Sequence, residues 1–355
     1  MSELKTNKIQ TNDGNNVALD NALKLKHYTE SQRDALTSTE GDIIYNSDTN
    51  LPEYYDGSSW TALANPVITR VDYLIIAGGG TGGNGETNLA NGGGGGAGGY
   101  RSSWNNETSG GGQSSESTLT TIQTGTAYSV SVGAGGTSTN YQSGSDSYFK
   151  HAGTGIDITS KGGGTGGGYN NVSAGTGGSG GGGGSPTGSS GAAALTSPVV
   201  HGYAGGSMES GSPYRGGGGG GAGEAGNTDG QSAGGDGLAS TITGSSVVRG
   251  GGGGAGGDGS LNPAGEGGGA NGVTYQSASH PAHATANTGG GGGGGASRSY
   301  NKNGSSGGSG VVILRYPNGY SISVGAGLVW SGTEGTSGND KYAVITGGTG
   351  NVSWS

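Results

Sequence analysis

Val71-Asp72-Tyr73-Leu74-Ile75-Ile76-Ala77-Gly78-Gly79-Gly80 leads into a glycine-rich block, and Gly307-Gly308-Ser309-Gly310-Val311-Val312-Ile313-Leu314-Arg315-Tyr316-Pro317 leads out of it. Each flank carries an apolar, β-branched run of strand length, so both read as β-strands. Between them lie most of the 92 glycines of a 355-residue chain. Glycine loses the most backbone entropy on folding and brings no side chain to a core. An ordered block of this composition must therefore be held by its backbone.

Collagen is excluded as the ordering device. It needs glycine at every third position and abundant proline, whereas this chain has 8 prolines and unbroken glycine runs at Gly92–Gly96, Gly181–Gly184, Gly216–Gly221, Gly250–Gly254 and Gly289–Gly295. Polyproline II geometry fits such runs, with three residues per turn and no hydrogen bonds inside the strand. Its N–H and C=O groups point outward and can bond laterally to neighbouring rods that only glycine lets approach. Buried backbone groups are then satisfied without side chains. A run of five to seven glycines makes a rod of roughly 15 to 22 Å, and the sequence predicts such a rod over Gly289–Gly295.

Three regions follow. Residues 1–66 have ordinary composition, with short strands expected around Ile9 and Val17. Thr29-Glu30-Ser31-Gln32 is a capping box that predicts a short helix over Glu30–Leu36. Asp42-Ile43-Ile44-Tyr45-Asn46 and Glu53-Tyr54-Tyr55-Asp56-Gly57-Ser58-Ser59-Trp60 read as a compact hairpin unit anchored by Tyr45, Tyr55 and Trp60. Residues 67–317 are the glycine block, in which Thr118–Val132 alternates in strand fashion. Residues 318–355 return to β character at Tyr320–Val324 and Tyr342–Thr346. The fold class is mostly β and irregular, a polyglycine II-like bundle framed by strands.

Only 28% of residues are hydrophobic and the formal net charge is −9, which argues against a nucleic-acid partner. No cysteine is present, so thiol chemistry and disulfides are absent. Met1-Ser2-Glu3-Leu4-Lys5 lacks the apolar stretch of a signal peptide, so synthesis in a cytoplasm is expected.

Sequence motifs for chemistry fail on context. Gly78-Gly79-Gly80-Thr81-Gly82-Gly83 after a strand imitates a dinucleotide fingerprint, but that motif needs a following helix and an acidic residue some 20 positions on, where Tyr100 and Arg101 stand. Gly253-Gly254-Ala255-Gly256-Gly257-Asp258 resembles one calcium β-roll repeat, yet its apolar residue comes late, at Leu261, without tandem copies. His280 and His283 flank Pro281 and have no evident third ligand. Glu209, Glu224 and Asp229 would have to pair in a groove to cut a polysaccharide. The reading is therefore no enzyme, no cofactor and no metal. The separators between glycine runs instead carry aromatics, among them Tyr148 and Tyr300. Trp104, Tyr141, Tyr169, Tyr203, Tyr214 and Tyr275 are the candidates for receptor contact, with packing on glycine layers as the other reading for each.

The hairpin at Asp42–Trp60, the block from Val71 to Pro317, the internal Tyr128-Ser129-Val130-Ser131-Val132-Gly133-Ala134-Gly135-Gly136 and the ending Gly347-Gly348-Thr349-Gly350-Asn351-Val352-Ser353-Trp354 resemble the fibre proteins of tailed bacteriophages. The resemblance implies a virion structural protein whose inter-rod loops meet a host surface glycan or outer-membrane receptor. It also implies a homotrimer that attaches to other virion proteins through its N-terminal region. A capsid decoration or tail spacer, with loops touching only neighbouring subunits, is the alternative.

Overall fold

The computed structural model describes residues 24–63, 66–86, 90–138, 141–169, 172–184, 189–210, 214–257, 262–277, 279–296 and 302–355. Ile9, Val17, Asp258, Leu261 and Tyr300 lie outside the described residues. With 32% strand and 4% helix the chain is mostly β. It divides into two compact units, Met1–Pro66 and Val67–Ser355.

In the first unit, β1 (His27–Tyr28), α1 (Glu30–Asp34), β2 (Ile43–Asn46), β3 (Leu51–Tyr55) and β4 (Trp60–Ala62) follow in order, and the strands form one sheet in that order. The capping box forms reciprocally: Gln32 N–H donates to Thr29 Oγ1 and Thr29 N–H donates to Gln32 Oε1. Glu53, 4% exposed, accepts from Asn46 Nδ2 at 2.8 Å and pairs with Arg33 at 3.0 Å, tying the helix to the hairpin. Asp56 accepts from the Ser58 and Ser59 amides in the turn before Trp60. Those amides, with the Ser58 hydroxyl, hold its carboxyl down at about 2. Strand β3 starts earlier than the hairpin reading placed it. Pro52 falls at its second position, near a strand start where a missing N–H is tolerated. Thr29→Ala should cost this unit about 1 kcal/mol, seen as faster hydrogen exchange of amides in residues 24–63 with the second unit unaffected.

The second unit contributes β5 (Val67–Ile68), β6 (Asp72–Ile76), β7 (Tyr100–Ser102), β8 (Ile122–Gln123), β9 (Tyr128–Val132), β10 (Ser147–His151), β11 (Ile156–Ser160), β12 (Leu238–Ser240), β13 (Val247–Arg249), β14 (Val311–Pro317), β15 (Ile322–Val324), β16 (Leu328–Trp330), β17 (Gly335–Ser337) and β18 (Asp340–Trp354). The main sheet runs β11-β10-β9-β18-β14-β6-β7, with β15, β16 and β17 pairing along β18. The two bracketing strands are direct neighbours, Ile75 opposite Val312 and Tyr73 opposite Leu314. Both faces of this pair are buried, which explains their continuous apolar sequence. Tyr73, Ile75, Val312, Leu314 and Tyr316 face one cluster that also holds Tyr128, Phe149 and Trp354; Leu74, Ile76, Val311 and Ile313 face another with Tyr100 and Ile242.

Two segments differ from the sequence expectation. Thr118–Val132 is broken into β8 and β9 by a turn at Gly125, φ +71°. Residues 318–355, expected as a C-terminal β region, thread the long β18 between β14 and β9, so the sheet of the block includes them. Gly348 (φ +86°) and a register shift at Val329/Trp330 let that 15-residue strand change partners midway.

The glycine runs form hydrogen-bonded rods with a repeat of three. In the run 92–97, Gly92 and Gly95 donate to Gly295 and Gly292. Gly93 and Gly96 donate to Gly167 and Gly164, and Gly94 and Ala97 donate to Gly217 and Gly220. The carbonyls repeat the pattern toward three other runs. Gly256 and Gly253 donate to the oxygens of Gly92 and Gly95, Gly83 and Gly80 to those of Gly93 and Gly96, and Gly182 and Ser179 to those of Gly94 and Ala97. One rod thus bonds six neighbours, with amides i and i+3 always reaching the same one, as three residues per turn requires. At the expected rod Gly289–Gly295 the pattern holds from Gly291 and Gly292 onward, whose amides reach Gly251 and Gly80 while Gly294 and Gly295 reach Gly254 and Gly83. Gly289 itself has φ +69° and forms the entry turn, outside the rod geometry expected for it.

Candidate functional site

Because β6 and β14 are neighbours, the glycine block leaves the sheet and returns to it at one place. The rod 78–83 runs outward from β6 and the rod 92–97 comes back antiparallel to it, ending at β7. Isolated bridges at the far end join the rod termini of several excursions: Gly85 to Lys302, Asn91 to Ala296, Arg215 to Gly257, and Gly257 to Thr274. The block therefore has a sheet end and a far end where its connections converge.

Two of the six candidate aromatics meet at the far end. Tyr141 and Tyr169 line one open pocket of about 270 Å³ together with Asn84, Glu86, Val172 and Asn303. Asn84 is the tie: its Oδ1 accepts from Gly304 N–H at 2.9 Å and its carbonyl accepts from Tyr169 N–H at 3.3 Å. Burial pushes the Tyr141 hydroxyl above the ordinary phenol range. Tyr141 takes φ +49°, and its ring occupies the space that a side chain at residue 168 would need, so Gly168 admits it.

The other four are spread. Tyr214 and Tyr275 are also at the far end, linked through Asn91, whose Nδ2 donates to the Tyr214 carbonyl at 2.6 Å and to the Tyr275 hydroxyl at 2.8 Å. Tyr275 is only 7% exposed and packs with Val273 and Ala296, so its ring faces inward and corrects the surface role expected for it. Trp104 and Tyr203 belong to the sheet end. Trp104 donates Nε1–H to Thr241 Oγ1 at 3.0 Å and stacks under the Arg315 guanidinium at 3.9 Å. The Tyr203 hydroxyl covers Gly112. For these two, the packing reading fits the geometry.

A second concave surface lies on the β10–β11 side of the sheet. Its cations are already matched: Lys161 with Asp146 at 2.7 Å, Lys150 with Asp157 at 3.0 Å, and Arg101 with Glu116. The acids considered from the sequence separate. Glu224 and Asp229 gather with Asp236, their carboxylate oxygens within 4.8 Å, whereas Glu209 lies elsewhere, its backbone N–H donating to the Arg215 carbonyl at 3.0 Å. Burial, aided by the charges of Asp229 and Asp236, raises the Glu224 carboxyl above its ordinary value. His283 Nδ1 accepts from Ser306 N–H at 3.1 Å, spending that nitrogen on the loop.

Sequence reasoning missed Asn84, Glu86 and Asn303, the polar members of the tyrosine pocket. Each stands in an unremarkable polar separator, and only the converging rods bring 84, 141, 169 and 303 together. No helix among the described residues is long and apolar enough to cross a membrane. No curated protein matches the chain. The model of the glycine-rich domain family matches residues 55–317, well over half of the length, and by that match the chain belongs to this family.

Proposed function

We propose that this protein is a non-catalytic attachment component of a tailed-phage particle, a fibre or fibre tip that meets the host surface with the far end of its glycine bundle. The observation that carries the reading is the segregation of the unit. A sheet with two buried clusters anchors one end, rods without side chains give a rigid body, and the connections bearing Tyr141, Tyr169 and Tyr214 collect at the opposite end. Loops on a rigid scaffold are the usual place for recognition. Several copies, as in a homotrimer, would multiply weak contacts into avidity. The polar far end suits a glycan or an outer-membrane protein, and the net charge of −9 disfavours nucleic acid.

Purified, labelled protein is expected to bind susceptible bacterial cells saturably and to block adsorption of the particle in a dose-dependent way. Absence of binding by correctly folded protein would transfer the role to a structural spacer or capsid decoration, with another chain reading the receptor.

A further inference from the structure

We propose that the pocket between Tyr141 and Tyr169 is a subsite for a single neutral sugar ring, so that the ligand read by the far end is a saccharide; this rests on the attachment reading above. Size is the first argument. At about 270 Å³ the pocket falls just under the ~300–1,000 Å³ of sites for drug-sized molecules, which suits one ring and not a peptide epitope.

Construction is the second. A bulky residue at φ +49° is a backbone outlier, costing on the order of 1–3 kcal/mol unless its surroundings over-determine it. Here they do. The bare Gly168 receives the Tyr141 ring, and Asn84 beside it bonds the backbone of Tyr169 and Gly304. Described residues from four separate stretches of the chain, at 84–86, at 141, at 169 and 172, and at 303, border the one cavity, and the backbone bonds at Asn84 fix part of its wall in advance of any ligand.

Chemistry is the third. The Tyr169 hydroxyl, the Glu86 carboxylate and the exposed Asn303 amide make no side-chain hydrogen bond among the described residues, and all three border the cavity. Together they offer donors and acceptors beside two aromatic rings, the combination that recognises a polyhydroxylated ring by stacking and hydroxyl bonding. Neither lysine nor arginine lines the pocket. With Glu86 as its one charge, it should reject carboxylated and phosphorylated sugars.

The test is a glycan array carrying neutral, amino and acidic bacterial oligosaccharides, probed with the full chain, alongside whole-cell binding. The expected result is selective capture of neutral glycans. Tyr169→Ala and Asn303→Ala should each weaken it at least tenfold without moving the melting temperature, and Glu86→Gln should relax the exclusion of acidic glycans. Cell binding without any neutral glycan captured would overturn the saccharide assignment and leave the attachment reading standing. Array binding unchanged in both Tyr169→Ala and Asn303→Ala would place the sugar elsewhere and sink the pocket. Failure of both array and cell binding would remove the attachment reading and this assignment with it.

Discussion

Gly94→Ala should destabilise the glycine-rich unit by at least about 4 kcal/mol, combining the usual ~1–3 kcal/mol of overpacking with ~1–3 kcal/mol for each buried backbone group left unpaired. A Cβ built on Gly94 would lie 2.6 Å from the Gly253 carbonyl carbon and 2.7 Å from the Gly219 nitrogen, both backbone atoms that no rotamer change can clear. The rods carrying them cannot retreat singly. Gly219 donates to Gly253, Gly253 donates to Gly95, and Gly94 itself donates to Gly217 while accepting from Gly182. Displacing one rod therefore opens bonds in several directions. Relative to a net stability of roughly 5–15 kcal/mol, most of the unit's margin is at stake. Gly319→Ala is the internal control: a Cβ there meets nothing within 4 Å and its φ is not positive, so it should be neutral or gain up to about 1 kcal/mol. The comparison is made by urea unfolding of the two variants beside the parent. A Gly94→Ala midpoint within the spread of the Gly319→Ala control would refute the lattice as the source of order.

What the sequence disclosed and what it withheld follow from the same chemistry. β6 and β14 were legible because strands buried on both faces must be apolar throughout, and Asp72–Ile76 and Val311–Tyr316 are nearly so. The helix at Thr29 was legible because its capping box is a local signal. The rods were legible as a class, since runs of pure glycine without proline leave few ordered geometries. Which rods touch was not legible, because glycine runs carry no side chains to distinguish partners and their pairing depends on separator lengths. The entry turn at Gly289 was hidden for the same reason: glycine accepts φ +69° and rod geometry alike. The tyrosine pocket needed that missing pairing. Tyr141 and Tyr169 could be chosen as aromatics in separators, but nothing local to Asn84 or Asn303 says that residues more than 200 positions apart will border one cavity. Tyr275 misled because an aromatic among polar residues looks exposed; Val273, two positions away on the same stretch, was the one local sign of its burial, and Ala296, which completes the cover, comes from another excursion.

Acidification from pH 6.5 to 4 should remove about 3 kcal/mol from the second unit through His201 alone, at ~1.36 kcal/mol per pH unit over the gap between its ordinary value of 6.5 and its folded value of about 4. His201 is fully buried, and neither ring nitrogen has a hydrogen-bond partner. Burial is the main cause of the depression, and the nearby Arg101 and Lys161 cations add to it against the opposing Glu116 and Asp146 carboxylates. The sign follows from proton counts. Between pH 6.5 and 4 the unfolded chain binds a proton that the folded chain refuses, so stability is full above 6.5, declines as pH falls, and stops declining below 4. Among the described carboxyls with a clear shift, none spans this window. Asp157 and Glu334 have lowered values and act below the ordinary carboxyl range, while Glu224, with a raised value, favours the folded state in acid. His201→Phe keeps a ring in the space and removes both the titration and two buried unpaired nitrogens. It should flatten the stability profile between pH 6.5 and 4 and hold or raise stability at pH 7, since an apolar ring there leaves nothing unsatisfied. Urea midpoints of parent and variant across pH 4 to 7 decide the matter. Parallel profiles would mean that His201 takes its proton while folded, and that the burial of its ring imposes no electrostatic penalty.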